Sequence, residues 1–129
     1  NHVSIVRTGE ELEAGLKKLE ELKADINKVC AHASAQYNPG WNEALDLKNL
    51  IITAEAVTRA AIIRKESRGA HTRLDFEGER EEGLSYNIVI KKTEGNMTAE
   101  KIKRDEPPKK LADIAYASLT ELEGESPGA

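Results

Sequence analysis

Leu47-Lys48-Asn49-Leu50-Ile51-Ile52-Thr53-Ala54-Glu55-Ala56-Val57-Thr58-Arg59-Ala60-Ala61-Ile62-Ile63-Arg64-Lys65 is the stretch on which the fold turns. Leu47, Leu50, Ile51, Ala54, Val57, Thr58, Ala61 and Ile62 recur at spacings of three and four for more than four turns, which predicts an amphipathic helix. The small residues Ala54, Ala60 and Ala61 permit another helix to approach closely. Arg64 and Lys65 fall in the last turn, where cations favour the negative end of the helix dipole, and Gly69 is a candidate terminator. The helix is expected to end between Lys65 and Gly69.

On the N-terminal side, Thr8-Gly9-Glu10-Glu11 has the capping-box pattern. Leu12, Leu16, Leu19, Leu22, Ile26 and Val29 follow as one apolar stripe opposite a face of Glu and Lys, so a first helix is expected from Thr8 to about Cys30. Residues 33–40 lack helical period and include Asn38-Pro39-Gly40, a turn signal, and are expected to form the connecting loop. Trp41 suits either a core position over the second helix or an interface anchor. On the C-terminal side, residues 74–83 are charged and irregular. Tyr86, Ile88 and Ile90 then alternate with Asn87, Val89 and Lys91 as in a strand. Thr93-Glu94-Gly95-Asn96 supplies a turn, and residues 98–104 are expected to return as the second strand of a hairpin. Beyond Pro107-Pro108, Leu111, Ile114, Ala115, Leu119 and Leu122 predict one more amphipathic helix, and residues 124–129 a disordered tail. The expected fold is therefore mostly α: a bundle of two long antiparallel helices and a shorter C-terminal helix, with a small β-hairpin packed at one end.

Composition agrees. The chain has 129 residues, 33% charged and only 4% aromatic, which favours helices with solvated faces in a single domain over a β-sandwich. Nineteen Lys and Arg against 23 Asp and Glu leave a net charge of −4, which argues against a nucleic-acid partner. No apolar run approaches the ~20 residues of a membrane span, and the first residues lack a signal-peptide pattern. One cysteine, Cys30, forms no internal disulfide and fits a reducing, cytoplasmic setting. Cys30 and His32 lack the spacing of a zinc site, and Cys30 is expected to be a small buried hydrophobe. The absence of an initial methionine suits a piece of a longer protein.

The densest chemistry is Arg64, Glu66, Arg68, Gly69, His71, Arg73 and Asp75. On a continuing helix His71 and Asp75 would lie one turn apart, an arrangement that could orient an imidazole for proton transfer. Catalysis also needs a convergent pocket and a substrate anchor, which nothing nearby supplies. The alternation of donors and acceptors at a helix exit better suits a hydrogen-bonded network that meets another domain. No catalytic, cofactor-binding or metal-ligating residue is expected in the chain.

Arg64-Lys65-Glu66-Ser67-Arg68-Gly69-Ala70-His71-Thr72-Arg73-Leu74-Asp75-Phe76, preceded by the Asn49-Leu50-Ile51 helix and by Arg7-Thr8-Gly9-Glu10-Glu11-Leu12, resembles the carboxy-terminal region of succinate dehydrogenase and fumarate reductase flavoprotein subunits. Order and separation both agree, over residues 3–104. L-aspartate oxidase shares a similar Glu-Ser-Arg-Gly run, and the hairpin that follows the charged loop favours the dehydrogenase. Arg80-Glu81-Glu82 preserves an acidic cluster of the family, but Gly83-Leu84-Ser85-Tyr86 does not preserve the aromatic residue and Lys-His pair that usually follow. The Gly-rich fingerprint that seats a flavin pyrophosphate is missing, so the flavin domain is expected elsewhere. The resemblance implies a supporting module of a parent that uses FAD to oxidise succinate or reduce fumarate. In that parent the module would brace the flavin-binding and capping domains and face an iron–sulfur subunit, the whole lying on the cytoplasmic face of a membrane. Excision would leave apolar faces through which the fragment could form a homodimer. The reading from a different class is a free-standing helical protein-interaction module.

Overall fold

A computed structural model describes residues 2–34 and 36–123. The tail expected at residues 124–129 lies outside the described residues. Chain order is β1 (Val6–Arg7), α1 (Gly9–Asp25), α2 (Pro39–Ile63), β2 (Thr72–Arg73), β3 (Tyr86–Thr93), β4 (Asn96–Lys103), α3 (Lys109–Tyr116) and α4 (Leu119–Glu123), with 3₁₀ turns at Ile26–Lys28 and Glu81–Leu84.

The capping box forms as expected. Thr8 accepts from the Glu11 backbone N–H at 3.2 Å, while the Glu11 carboxylate accepts from the Thr8 N–H at 2.8 Å. The helix it starts is shorter than expected: α1 stops at Asp25, and Ile26–Lys28 tightens into a 3₁₀ turn. Val29 is 46% exposed and Cys30 is exposed. The apolar period runs past the helix, but after the half-buried Ile26 its residues are exposed.

The second helix corrects the sequence reading in the other direction. Asn38-Pro39-Gly40 is not a free turn but the start of α2, eight residues before Leu47. The Asn38 side chain accepts from the Gly40 N–H at 3.1 Å as N-cap, and Pro39 occupies the first turn, where its missing N–H costs nothing. Trp41 lies in that first turn, 46% exposed. At the other end α2 closes at Ile63 with Arg64 as C-cap.

Glu20 pairs with Arg59 at 3.5 Å and Lys23 with Glu55 at 2.8 Å, so rising numbers in α1 meet falling numbers in α2 and the two helices are antiparallel. Leu12, Ile51, Thr58 and Ala61 are buried. Glu55, on the same stripe, is buried as an ion, held by Lys23 and by Arg59 at 2.8 Å.

The hairpin is antiparallel with Tyr86 opposite Lys103 and Thr93 opposite Asn96. Glu94 and Gly95 both have positive φ, 51° and 87°, as the favoured two-residue hairpin turn requires. Both strands pack on α2. A two-residue parallel pairing of β1 with β2, Val6 with Thr72 and Arg7 with Arg73, brings the N-terminal strand to the exit of α2.

The C-terminal helix is present in two pieces. Ala117 is extended, and Ser118 opens α4 with its own capping box, its hydroxyl accepting from the Glu121 N–H at 3.3 Å while Glu121 accepts from the Ser118 N–H at 2.7 Å. Leu111, Ile114, Leu119 and Leu122 are all half exposed or more, so these pieces add nothing to the core.

Candidate interdomain contact network

Every member of the charged alternation lies beyond the end of α2, where the chain turns out of the helix. His71 and Asp75 are not one helical turn apart, because residues 68–71 form a tight turn that leads into β2 rather than a continuing helix. Arg68 and His71 exchange backbone hydrogen bonds at 2.9 and 3.0 Å. Between them Gly69 takes φ 57° at the first central position of the turn, a conformation glycine adopts without steric cost. Gly69 and Ala70 form its exposed tip.

Glu66 is the hub. Its side chain is 1% exposed and accepts from the Arg80 N–H at 2.9 Å, from Arg68 Nη2 at 3.1 Å and Nε at 3.3 Å, and from Arg64 Nη1. Burial alone would push this carboxyl up. The Arg80 amide and the Arg68 and Arg64 guanidiniums outweigh burial and hold it at about 2. Arg68 also donates to Glu79 at 2.8 Å and to the Arg80 carbonyl at 3.0 Å. Gly83 lies against the Glu66 carboxylate so closely that a Cβ there would collide with it. Arg64 sits over the Tyr86 ring at 5.3 Å, which ties the hub to the hairpin.

A second assembly uses Arg73 and Asp75. Arg73 is buried, and its Nη1 donates to the carbonyl oxygens of Ala61 at 2.9 Å and Arg64 at 3.3 Å, in the last turn and C-cap of α2. Its other edge grips Asp75 in two bonds of 2.7 Å. Asp75 in turn accepts from the Gly9 N–H at 2.9 Å, at the start of α1. The Arg73 guanidinium, followed by the Gly9 amide, holds the Asp75 carboxyl well below the usual range. A cation therefore meets the negative end of α2 and an anion the positive end of α1, and the pair locks the two ends together. Ser67 completes the turn, accepting from the Arg73 N–H at 2.8 Å and lying 3.0 Å from the Phe76 carbonyl. Arg73 at 4.9 Å and Arg80 at 5.4 Å stand over the Phe76 ring.

His71 contacts the Arg64 carbonyl through Nε2 at 3.1 Å. Burial foremost, with the charges of Arg7, Arg73 and Arg64, lowers its pKa, so the neutral ring donates to that carbonyl at pH 7. The seven residues of the alternation thus share one exit segment, as two assemblies that meet at Arg64. Ser67, Gly83 and Arg7 belong to the same framework, and Glu55 to the α1–α2 interface; all four are missed by sequence reasoning. Glu55 carries a signal, an acid on the apolar stripe three and four residues from Thr58 and Ile51. Among the described residues, no group of three or more His, Cys, Asp or Glu is placed to hold a metal ion, and no helix is long and apolar enough to cross a membrane.

Fold and network together define a class: a small antiparallel helical module fastened at its helix ends, with wide apolar faces left outside. The chain belongs to the family described as fumarate reductase flavoprotein C-term, which it matches over residues 1–116. It is 37% identical over 92 residues to one of the subunits of the fumarate reductase (CoM/CoB) from Methanothermobacter marburgensis, covering 71% of this chain but 17% of that protein. To the L-aspartate oxidase of Yersinia pestis it is 38% identical over 76 residues, 59% of this chain and 13% of that one. The solved structure of Mycobacterium smegmatis Sdh1 in complex with UQ1 superposes with a TM-score of 0.78 at 30% identity, covering 92% of this chain and 20% of that one. The chain thus spans a fifth or less of these relatives.

Proposed function

We propose that this chain is the supporting C-terminal domain of an FAD-dependent succinate dehydrogenase or fumarate reductase flavoprotein subunit. Residues 1–129 act as one domain that braces the flavin-binding and capping domains and offers surface to an iron–sulfur subunit. The parent moves a hydride between succinate and FAD and passes the electrons onward at the cytoplasmic face of a membrane. The observation that carries this reading is the apolar surface of α2 left outside the core: Leu50 and Val57 on one side of the buried stripe, and Leu45 and Ile52 on the other, are 48–63% exposed. The exposed tip at Gly69-Ala70, backed by Arg64, Glu66, Arg68, His71, Arg73 and Asp75, is the part of the network that meets the neighbouring domain. An open reading frame that continues upstream into a Gly-rich dinucleotide fingerprint is the expected outcome of sequencing the gene. The purified chain should stay colourless after incubation with FAD and gel filtration. Stoichiometric flavin absorbance co-eluting with it would overturn the supporting role.

The 38% identity to an L-aspartate oxidase favours a second parent of the same architecture. Assay of the full-length protein separates the two: turnover of succinate or fumarate supports the first, and turnover of L-aspartate alone supports the second.

A further inference from the structure

Arg7 stands apart from the other guanidiniums of this region. It is 8% exposed, its Nε donates to the Ile5 carbonyl at 3.3 Å, and among the described residues its two Nη groups have neither a carboxylate nor another acceptor. Arg64 and Arg73, by contrast, are committed to Glu66 and Asp75. Arg7 lines a groove of about 540 Å³ between β1, the last turns of α2 and the start of β3. Val57, Ala60, Ala61 and Ile88 form the apolar part of its wall, and Arg64, His71 and Asn87 the polar part. Of the residues lining the groove, Arg7 and Arg64 carry charge, both positive, and Arg64 is already paired with Glu66. The Nη atoms of Arg7 still reach water at the mouth of the groove, but a largely buried guanidinium with no carboxylate beside it among the described residues is a site that an incoming counter-charge would stabilise.

We propose that this groove receives a carboxylate side chain from the flavin-binding part of the parent polypeptide, which pairs end-on with the two free Nη groups of Arg7 while its apolar neighbours cover Val57, Ala60 and Ile88. This rests on the supporting-domain reading. The occupant is a protein segment rather than a free anion because the groove is open and half apolar, with room for a good deal more than a carboxylate. About four-fifths of a relative such as the Mycobacterium smegmatis protein lies outside the span matched here, which leaves ample chain to supply it. Paired by an Asp or Glu, Arg7 would join the N-terminal strand, the exit of α2 and the neighbouring domain in one contact.

The test compares Arg7, Arg7→Met and Arg7→Lys in two proteins, the 129-residue chain and the full-length flavoprotein that contains it. In the full-length protein Arg7→Met is expected to lower Tm by roughly 2 °C or more and to speed proteolytic release of this domain about tenfold, with Arg7→Lys recovering part of both. In the chain alone Arg7→Met is expected to melt at or above the unsubstituted protein, because an unpaired charge has been removed. Equal destabilisation of both proteins would overturn the proposal, since the partner would then lie within the chain. So would an unchanged full-length protein. Acetate is titrated into the chain alone: a saturable rise in Tm that vanishes in Arg7→Met would instead make this a free-anion site. If no flavin-binding domain is encoded with the chain, the supporting-domain reading fails before any variant is made. If one is encoded and the variants behave alike, only the Arg7 proposal fails.

Discussion

Glu66 concentrates the energetics of the exit segment in one carboxylate. Because its pKa is depressed to about 2 in the folded state, its contribution is fully present above the unfolded carboxylate pKa and fades as pH falls towards 2. The difference amounts to about 3 kcal/mol. Glu66→Gln keeps the shape but leaves Arg64 and Arg68 with a neutral acceptor in a buried site. We expect the variant to lose about 3 kcal/mol in urea unfolding at pH 7 and to differ much less from the unsubstituted chain near pH 2. An equal deficit at both pH values would show that the ionised form is not what matters. The residue types of this hub are legible in the sequence as a run of alternating charge, whereas its geometry is not. Donors to Glu66 come from Arg80 as well as from its neighbours, and Gly83, seventeen positions away, makes the space. Such distant pairings follow from a turn at Gly69 and a 3₁₀ segment at Glu81–Leu84, neither of which has a periodic signature.

At the scale of elements, helix ends decide the arrangement more than helix faces do. The interior of α2 is readable from its apolar period alone, and the α1 start from its capping box. The ends with no periodic cue are not: Asn38 and Pro39 resemble a loop as much as a cap, and Ser118 with Glu121 divides a single apolar pattern into two helices. The strongest end-to-end link is Arg73 with Asp75, which joins the last turn of α2 to the Gly9 amide of α1. Arg73→Lys preserves the charge but cannot bond two carbonyls and both carboxylate oxygens at once. The variant should be destabilised by about 2–3 kcal/mol at neutral pH. Amide exchange should quicken first at Ile62, Ile63 and Gly9 rather than in the middle of either helix. Uniform acceleration along α1 and α2 would mean that the link carries no local role.

For the molecule as a whole, the balance between buried and exposed apolar surface sets its behaviour. Leu12, Ile51, Ala61 and Tyr86 are the buried hydrophobic residues described, while Leu50 is 63% exposed, Ile52 51%, Leu111 58% and Leu119 74%. Net charge is small at −4, so long-range repulsion does little to keep copies apart. On its own, the chain is expected to hide these faces against a second copy. We therefore expect sedimentation velocity to show reversible dimer formation, and Tm to rise with protein concentration as mass action requires. Leu50→Lys places a charge on the outward side of α2 without disturbing Ile51 beneath it, so it should abolish the concentration dependence while leaving the dilute-limit Tm within about 2 °C. On the proposed supporting role, the same substitution in the full-length protein should also weaken domain attachment. Dimers that persist with Leu50→Lys would assign self-association to the C-terminal pair α3 and α4. That pair would then be the surface turned towards the rest of the flavoprotein.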